Sequence, residues 1–299
     1  MSYRGKGLLL PPSLGSGDEP YGIVYTASDI RALRDHAEAL GVTIIPEIEM
    51  PGHSYAILQA MPELRDPCDR DQNGNTLNPA LPQTYEVVRN ILDYVDSVFR
   101  SPHIHLGGDE VWEGAWPGSP AAQEMMANLE FTENHELQSH FLRTIQAYVR
   151  DHLGREVGVW EEAATGDGID RAKSYATAWL TEGLKLAKAG YSVVATPKNF
   201  YYVDHPPFEG AIGMENVVTP QTTYNYDPNA EWPAELRHKL IGTMASMWGE
   251  FIYDKPNMDM LMTPRTSAVA ESAWTPAASK DWRRFDRLQR LMPRWVKQW

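Results

Sequence analysis

An α/β fold made of repeated strand–helix units is predicted by three features of the 299-residue sequence. Apolar runs typical of buried parallel strands alternate with segments of helical spacing along the chain. Strict alternation implies parallel strands joined by helical crossovers. No linker interrupts the series, and the length suits one barrel of the TIM type, which takes about 250 residues. We therefore predict one domain over 1–299, TIM-barrel-like, shortened or incomplete, with about six recognisable parallel strands.

The series begins after an irregular N-terminal segment, 1–27, which is rich in Gly, Pro and Ser. Thr26 or Ser28 is expected to cap a helix that runs to about residue 40, and Gly41 is expected to end it. The near-continuous apolar run 42–50 predicts a buried parallel strand that turns polar at its carboxyl end. The first βα boundary therefore places acidic groups at a strand end.

The later elements are predicted by apolar spacing in the same way. In order they are helix 83–100, strand 103–108, helix 134–153, strand 156–162, helix 168–173, strand 174–179, helix 181–189, strand 192–197, strand 242–248, and helices 258–274 and 281–297. Two long stretches, 62–82 and 198–240, show neither helical spacing nor the pattern of a strand. Loops of this length within compact domains are usually functional.

Composition narrows the class of partner. The net charge of −13 and the pI of about 5.1 argue against nucleic acid or an anionic membrane surface. They suit a neutral or cationic substrate. The single cysteine, Cys68, excludes an intramolecular disulfide framework. Ten tryptophans and fourteen tyrosines fit a protein that handles carbohydrate, since aromatic faces stack on the C–H faces of sugar rings.

No apolar run reaches the roughly 18–20 residues of a membrane span. The first residues, Met-Ser-Tyr-Arg-Gly-Lys, lack the apolar region of a signal peptide. The sequence as given therefore predicts a cytoplasmic location by default, and a periplasmic or secreted one if the chain is truncated.

The stretch 103–110 is the strongest candidate for chemistry. Ile104 and Leu106 alternate with histidines as in a strand, and two glycines then precede Asp109 and Glu110. The carboxyl ends of parallel strands form the active face of such a sheet. Because neighbouring side chains point in opposite directions, we expect the two acids to differ in environment and role. A solvated loop pair or a helix cap is the alternative interpretation of the dipeptide alone.

Residues 105–110, His-Leu-Gly-Gly-Asp-Glu, resemble the His-x-Gly-Gly-Asp-Glu signature of glycoside hydrolase family 20, the β-N-acetylhexosaminidases. Residues 46–53 resemble the family's Pro-Glu-Ile-Asp-Met-Pro-Gly-His motif, with Glu49 in place of the usual Asp. Further segments resemble family motifs in the same order along the chain: 77–79 (Leu-Asn-Pro), 160–162 (Trp-Glu-Glu), Trp179, 202–204 (Tyr-Val-Asp), 248–250 (Trp-Gly-Glu), 264–265 (Pro-Arg) and 270–274.

The resemblance implies a mechanism in which the substrate's own 2-acetamido oxygen attacks the anomeric carbon. Glu110 would be the general acid and then the base, and its protonation at neutral pH requires a raised pKa. Asp109 would orient the acetamido N–H and stabilise the positive charge that develops there. Tyr202 would hydrogen-bond the acetamido oxygen and hold it in position for attack.

The same resemblance implies the other members of the site. The residues expected to bind the sugar are Trp160, Trp179 and Trp248, which would wall the acetamido group and the ring, and Asp204 and Glu250, which would accept from sugar hydroxyls. His53 is expected to contact the catalytic acid, and Glu49 to lie in the same supporting shell. His105 is interpreted as a strand-packing residue.

A metal site is the alternative chemistry that we consider. His103 and His105, with Asp109 and Glu110, are ligand types that bind zinc. The glycines and tryptophans suit a sugar better, so we predict neither a metal nor another cofactor. Trp112 and Trp116 follow the acids and are expected either to stack on a leaving-group sugar or to pack within a surface loop.

The beginning of the sequence departs from the family pattern. No segment corresponds to the family's first two strands, one of which supplies an arginine that grips sugar hydroxyls. We expect an exo-acting retaining β-N-acetylhexosaminidase that acts on terminal β-linked GlcNAc or GalNAc of a glycan or chito-oligosaccharide. The alternatives are a non-catalytic sugar-binding relative or fragment, and the same fold acting on a galactose-type or sulfated amino sugar.

Six strands cannot close an eight-stranded barrel, so the sheet is expected to have two open apolar edges. We therefore predict a homodimer or higher homo-oligomer. Light scattering over a concentration series is expected to give a mass above that of one 33.7 kDa chain. A mass equal to one chain at every concentration would contradict this prediction.

Overall fold

The computed structural model describes residues 24–67, 75–252 and 254–291. The chain forms two compact units. The first comprises Val24–Thr177 with Ala189–Ser192, and the second comprises Ala178–Lys188 with the described residues from Val193 onward. Three predicted features lie outside the described residues, in whole or in part. They are positions 1–23 of the irregular segment predicted over 1–27, Cys68, and the end of the last predicted helix beyond 291.

The first unit contains three strands and six α-helices among its described residues. They are α1 (Ala27–Ala39), α2 (Tyr55–Ala60), α3 (Pro82–Phe99), β1 (His103–His105), α4 (Pro120–Asn128), α5 (Asn134–Tyr148), β2 (Glu156–Trp160), α6 (Glu161–Ala164) and β3 (Ser174–Ala178), whose last residue falls in the second unit.

Local sequence explains two of these helices. Thr26 caps α1 as predicted, in a reciprocal arrangement with Asp29 in which each side chain accepts from the other's backbone N–H. α3 begins with Pro82, whose missing N–H has no intrahelical partner at that position in any case. Its apolar stripe, which includes Val88 and Leu92, is buried. Helix α5 was also predicted, and a π-helical turn continues it to Leu153.

The strands of the first unit pair in parallel, as predicted. β1 pairs with β2, with Ile104 opposite Val157, and β2 pairs with β3, with Gly158 opposite Tyr175. The acids at 109 and 110 follow the carboxyl end of β1 by a few residues. The acidic segment therefore leaves the sheet at the carboxyl end of a parallel strand.

The strand predicted over 42–50 is an extended segment rather than a regular strand. It forms one parallel bridge, between Glu47 and His105. The backbone N–H of Ile48 donates to the carbonyl of His105 over 2.9 Å. The segment therefore lies beside β1 but pairs with it over too short a distance to form a ladder.

The second unit contains two strands and six α-helices in the part of the chain described. They are α7 (Gly183–Lys188), β4 (Ser192–Ala195, whose first residue falls in the first unit), α8 (Lys198–Tyr201), α9 (Pro220–Asn225), β5 (Leu240–Thr243), α10 (Lys255–Met262), α11 (Arg265–Trp274) and α12 (Trp282–Gln289). β4 and β5 are parallel, and Tyr202 and Ser246 form a further parallel bridge beyond them.

The described residues thus contain five regular strands where about six were predicted. The helix predicted over 168–173 is wrong, because these residues form bends and turns that follow a 3₁₀ turn at Thr165–Asp167. The helix predicted over 258–274 is two helices, since Pro264 lacks the N–H that a continuous helix requires. No helix in the described ranges is both long and apolar enough to cross a lipid bilayer.

Trp116 is part of the hydrophobic core and is fully buried. Its indole Nε1 donates to the carbonyl of Leu77 over 2.9 Å, and its backbone N–H donates to Asp66. Ala122 and Leu137 pack in the same cluster. Of the two roles proposed for Trp116, stacking on a sugar is therefore wrong and packing within the loop is confirmed.

Gly158 in β2 lies where a side chain would not fit. A Cβ there would meet His105 Cδ2 and the Tyr175 ring at 2.5 Å. We predict that Gly158→Ala lowers the free energy of unfolding by about 1–3 kcal/mol through overpacking. Gly242→Ala in β5 is the control, because a Cβ there meets nothing within 4 Å. Urea denaturation measures both, and equal changes in the two variants would contradict the prediction.

Candidate active site

The two glycines between β1 and the acids have left-handed backbone conformations, with φ of 68° at Gly107 and 95° at Gly108. The carboxylate of Glu49 occupies the place where a Cβ on Gly107 would lie, 1.9–2.0 Å from that point. The backbone N–H of Gly108 donates to Glu49 Oε1 over 2.6 Å. Glycine is therefore required at 107 both by the backbone conformation and by the neighbouring carboxyl group.

Asp109 and Glu110 lie in different environments, as the alternation predicted. The side chain of Asp109 is 11% exposed, whereas that of Glu110 is 57% exposed. Glu110 has a positive φ of 47°, which turns it away from the path of the strand. The more exposed of the two acids is therefore the one to which the resemblance assigns the role of general acid.

His53 contacts both acids. Its Nε2 lies 3.3 Å from Glu110 Oε2 and 3.7 Å from Asp109 Oδ2. His53 also has a left-handed backbone, with φ of 46°. Two non-glycine residues in this conformation, His53 and Glu110, thus touch through their side chains. Strained backbone of this kind is frequent at functional sites.

Glu49 and Asp109 form a carboxyl pair. Burial, followed by the neighbouring charge of Asp109, raises the pKa of Glu49 far above its ordinary value. Burial also raises the pKa of Asp109, but His53 and a hydrogen bond from Glu49 oppose that rise. Two adjacent buried carboxylates are unfavourable, so the pair holds one proton, on Glu49. Asp109 is the ionised partner, and Glu49 donates to it.

A second hydrogen-bonded group lies beneath the acids. Trp160 Nε1 donates to Glu47 Oε1 over 2.7 Å, and His105 Nδ1 lies 3.3 Å from the same oxygen. His105 Nε2 is 3.3 Å from the hydroxyl of Thr177. Although burial acts in the opposite direction, His105 and Trp160 hold the pKa of Glu47 below its ordinary value. Trp160, predicted as a pocket wall, is 2% exposed and packs edge-on against His105.

The second unit brings together three aromatic residues that were predicted to contact the sugar. The rings of Tyr202 and Trp179 are stacked, with centroids 6.2 Å apart and an interplanar angle of 20°. The ring of Trp248 lies 6.1 Å from that of Tyr202. Trp179 and Trp248 are both half-buried. These rings form an aromatic group within the second unit.

Asp204 belongs to the same group. It is fully buried, and its Oδ2 accepts from the backbone N–H of Trp248 over 3.2 Å. Burial raises the pKa of the Asp204 carboxyl. Its Oδ1 has no hydrogen-bond partner among the described residues. Glu250, also predicted to bind the sugar, is exposed.

His53, Asp109 and Glu110 also have the geometry of a possible cation site, since one ligand atom from each lies within 4.8 Å of the others. His103 and His105, which the metal alternative required, do not join them. His103 Nδ1 lies 3.4 Å from Glu156, and His105 contacts Glu47. The metal centre considered from sequence is therefore not assembled in the described residues.

Three contacts escaped sequence reasoning. Glu47 lies inside the 46–53 motif, which was a signal that could have found it. Gln138 Nε2 donates to the carbonyl of Gly108 over 2.8 Å from helix α5. Lys198 Nζ lies 5.7 Å above the Trp179 ring and 3.2 Å from Glu215. The last two are long-range contacts for which no sequence pattern exists.

A buried carboxylate and an exposed carboxyl group follow a strand of a parallel sheet, a location typical of the active sites of barrel-type enzymes. The comparison with known families agrees. The chain belongs to glycosyl hydrolase family 20, since the model of that family's catalytic domain matches residues 7–277.

Individual relatives support the assignment. The chain is 35% identical to a beta-hexosaminidase of Vibrio furnissii over 91% of its length and 47% of the relative's. It is 30% identical to a beta-hexosaminidase of Porphyromonas gingivalis over 91% of its length and 36% of the relative's. It therefore spans half the length of these relatives or less.

A solved structure supports the fold class as well. The exo β-N-acetylglucosaminidase of Vibrio harveyi, in complex with N-acetylglucosamine, is 35% identical to this chain and superposes with a TM-score of 0.85. The match covers 97% of this chain and 47% of that one. The TIM-barrel-type fold predicted from the alternating elements is thereby confirmed.

The proton on Glu49 generates a prediction about stability. Because the folded chain keeps a proton that the unfolded chain releases above about pH 4.5, the free energy of unfolding falls as the pH rises above that value. Glu49→Gln replaces the protonated carboxyl by a neutral group and removes this dependence. We predict that the stability of the variant relative to wild type rises between about pH 5 and about pH 8, by at most about 1.4 kcal/mol per pH unit.

Urea denaturation at several pH values measures this difference. Glu47→Gln is the matched control, because the lowered pKa of Glu47 leaves it ionised in both states above about pH 6. The difference between that control and wild type is expected to stay constant. A pH-independent difference for Glu49→Gln would show that Glu49 is ionised in the folded chain.

Proposed function

We propose that this chain is the catalytic part of an exo-acting retaining β-N-acetylhexosaminidase that removes terminal β-linked GlcNAc or GalNAc from glycans. The single observation that carries the proposal is the separation of roles between adjacent acids. Asp109 is buried and bonded to protonated Glu49, while Glu110 is exposed and 3.3 Å from His53. A buried fixed carboxylate beside an accessible proton donor suits substrate-assisted hydrolysis.

In the first step Glu110 donates its proton to the glycosidic oxygen as the bond from that oxygen to the anomeric carbon breaks. The carbonyl oxygen of the 2-acetamido group forms the new bond to the anomeric carbon and closes an oxazoline ring. The aglycone leaves as an alcohol. Glu110 is now a carboxylate, 57% exposed and therefore accessible to water.

In the second step Glu110 removes a proton from water, whose oxygen attacks the anomeric carbon and opens the oxazoline. The product is the sugar with its original anomeric configuration, and Glu110 is protonated again. Through both steps Asp109 accepts a hydrogen bond from the acetamido N–H and balances the positive charge on that nitrogen. The hydrogen bond from Glu49 fixes the orientation of Asp109.

The aromatic group of the second unit supports a sugar ligand. Trp179 and Trp248 offer half-buried ring surface, and the hydroxyl of Tyr202 is a donor suited to the acetamido oxygen. Asp204 is fully buried and accepts from the backbone N–H of Trp248, so it positions that residue. Glu250 would bind a sugar hydroxyl from its exposed position.

The names of relatives favour the same substrate class. The Vibrio harveyi relative is an exo β-N-acetylglucosaminidase whose structure holds N-acetylglucosamine. N-acetylglucosamine is therefore the first sugar to test on this chain.

An exposed apolar segment of the first unit suggests that the chain associates with itself. Along the first unit, large apolar side chains are exposed on and near α1: Val24, Tyr25, Leu33, Leu40, Val42 and Ile45. No residue of α1 is buried, although its apolar spacing predicts a packed face. Several exposed apolar side chains within one short segment suit an interaction surface. We propose that a second copy of the chain covers it.

The activity is tested by release of the chromophore from aryl β-N-acetylglucosaminide and β-N-acetylgalactosaminide. We predict turnover by the wild-type chain, and a loss in kcat on the order of a hundredfold in Glu110→Gln and in Asp109→Asn. Glu124→Gln, an exposed acid on α4, is the control and is expected to retain activity.

Two outcomes would contradict the proposal. One is equal turnover in wild type and Glu110→Gln. The other is absence of turnover in a folded wild-type chain that still binds N-acetylglucosamine, which would favour the sugar-binding alternative.

A further inference from the structure

A cleft of about 450 Å³ lies in the first unit and begins at the residue after Glu110. Its walls include Val111, Trp112, Glu113, Asn134, His135 and Gln138. This volume is within the range of pockets that hold small ligands. The acid–base steps at Asp109 and Glu110 do not involve the residues that line this cleft.

Trp112 supplies the aromatic wall of this cleft. Its six-membered ring lies over Gly114, 2.3–2.5 Å from the point where a Cβ on that glycine would be. The indole therefore packs against the backbone at Gly114, and it remains partly exposed. A fixed and accessible indole beside polar side chains suits the C–H face of a sugar ring.

The cleft is attached to the strand that carries the acids. Gln138 Nε2 donates to the carbonyl of Gly108 over 2.8 Å, immediately before Asp109. Asn134 Nδ2 donates to the carbonyls of Glu113 and Ala115 over 3.0 and 2.8 Å. These bonds tie the first turns of α5 and the loop bearing Trp112 to the acidic segment. A ligand in the cleft is thus held at a fixed position relative to Glu110.

The charges of the cleft select against anions. Glu113 and Glu133 both line it and are exposed. The N-terminus of α5 would otherwise attract an anion, but Glu136 Oε2 already accepts from the backbone N–H groups of Thr132 and Glu133 over 2.7 and 2.9 Å. His135 also lines the cleft and is exposed. At neutral pH the cleft therefore suits a neutral or cationic sugar.

We propose that this Trp112 cleft binds the sugar unit on the leaving-group side of the scissile bond and prefers a hexosamine with a free amine. The assignment of the cleft to the leaving-group side rests on the proposed function, whereas its affinity for an amino sugar does not. The sugar ring stacks on Trp112, and its ammonium group lies near Glu113 and Glu133. A sulfated sugar would be disfavoured by the same carboxylates.

Kinetics on three substrates test the position of the cleft. A methyl β-N-acetylglucosaminide leaves the cleft empty, whereas GlcNAc-β1,4-GlcNAc and GlcNAc-β1,4-glucosamine each place a sugar in it. We predict that Trp112→Ala raises KM for both disaccharides about tenfold, because one stacking contact is lost, and leaves KM for the methyl glycoside unchanged. Glu113→Gln is expected to reduce the preference for the glucosamine-bearing disaccharide. An equal change on all three substrates would overturn the proposal.

Binding provides a second readout that does not need turnover. Free glucosamine lacks the acetamido group on which the proposed reaction depends, so its binding reports the cleft. Saturation-transfer NMR is expected to detect glucosamine on wild type and on Trp112→Phe but not on Trp112→Ala, with near-UV circular dichroism confirming that each variant is folded. This pattern of binding without turnover of any substrate would reject the proposed function but support the assignment of the cleft as an amino-sugar site. Equal glucosamine signals in wild type and Trp112→Ala would overturn that assignment.

Discussion

The hydrogen-bonded contact between Glu49 and Asp109 is the constraint on which the acidic site depends. The carboxyl of Glu49 reaches Asp109 only because Gly107 has no Cβ in the space that this carboxyl fills. The N–H of Gly108 fixes the carboxyl there. The left-handed glycines that create this space also turn the chain out of β1. One short segment therefore sets the backbone path, the proton on Glu49 and the ionisation of Asp109.

Glu47 and Glu49 demonstrate how surroundings decide the state of chemically identical groups. They lie two residues apart on one extended segment beside β1, so both side chains lie on the same side of the sheet. Glu47 meets the imidazole of His105 and the indole N–H of Trp160, and its pKa is lowered despite burial. Glu49 meets another carboxyl, and its pKa is raised. The ionised glutamate holds the sheet side chains together, and the protonated one orients an acid.

Sequence patterns predicted the parts of the molecule that depend on local signals. Apolar spacing and caps located α1 and α3, and the alternation around Ile104 located β1 and the acids that follow it. The burial of Trp116 was ambiguous, because it depends on the carbonyl of Leu77 across 39 positions. The alternation predicted that Asp109 and Glu110 differ in environment, but not which of them is exposed. Glu110 has a left-handed φ, which is uncommon for a glutamate and which residue type does not determine.

The filled space above Gly107 restricts the order in which this sequence can change. A side chain at 107 would collide with the Glu49 carboxyl, whereas the shorter Asp that is usual in the family would leave more room. Replacement of Gly107 is therefore conditional on prior shortening at 49, and lengthening at 49 is conditional on glycine at 107. The two positions, 58 residues apart in sequence, form an epistatic pair. A library that randomises position 107 alone would sample side chains that collide with Glu49, whereas a library at position 49 includes shorter side chains that Gly107 accommodates.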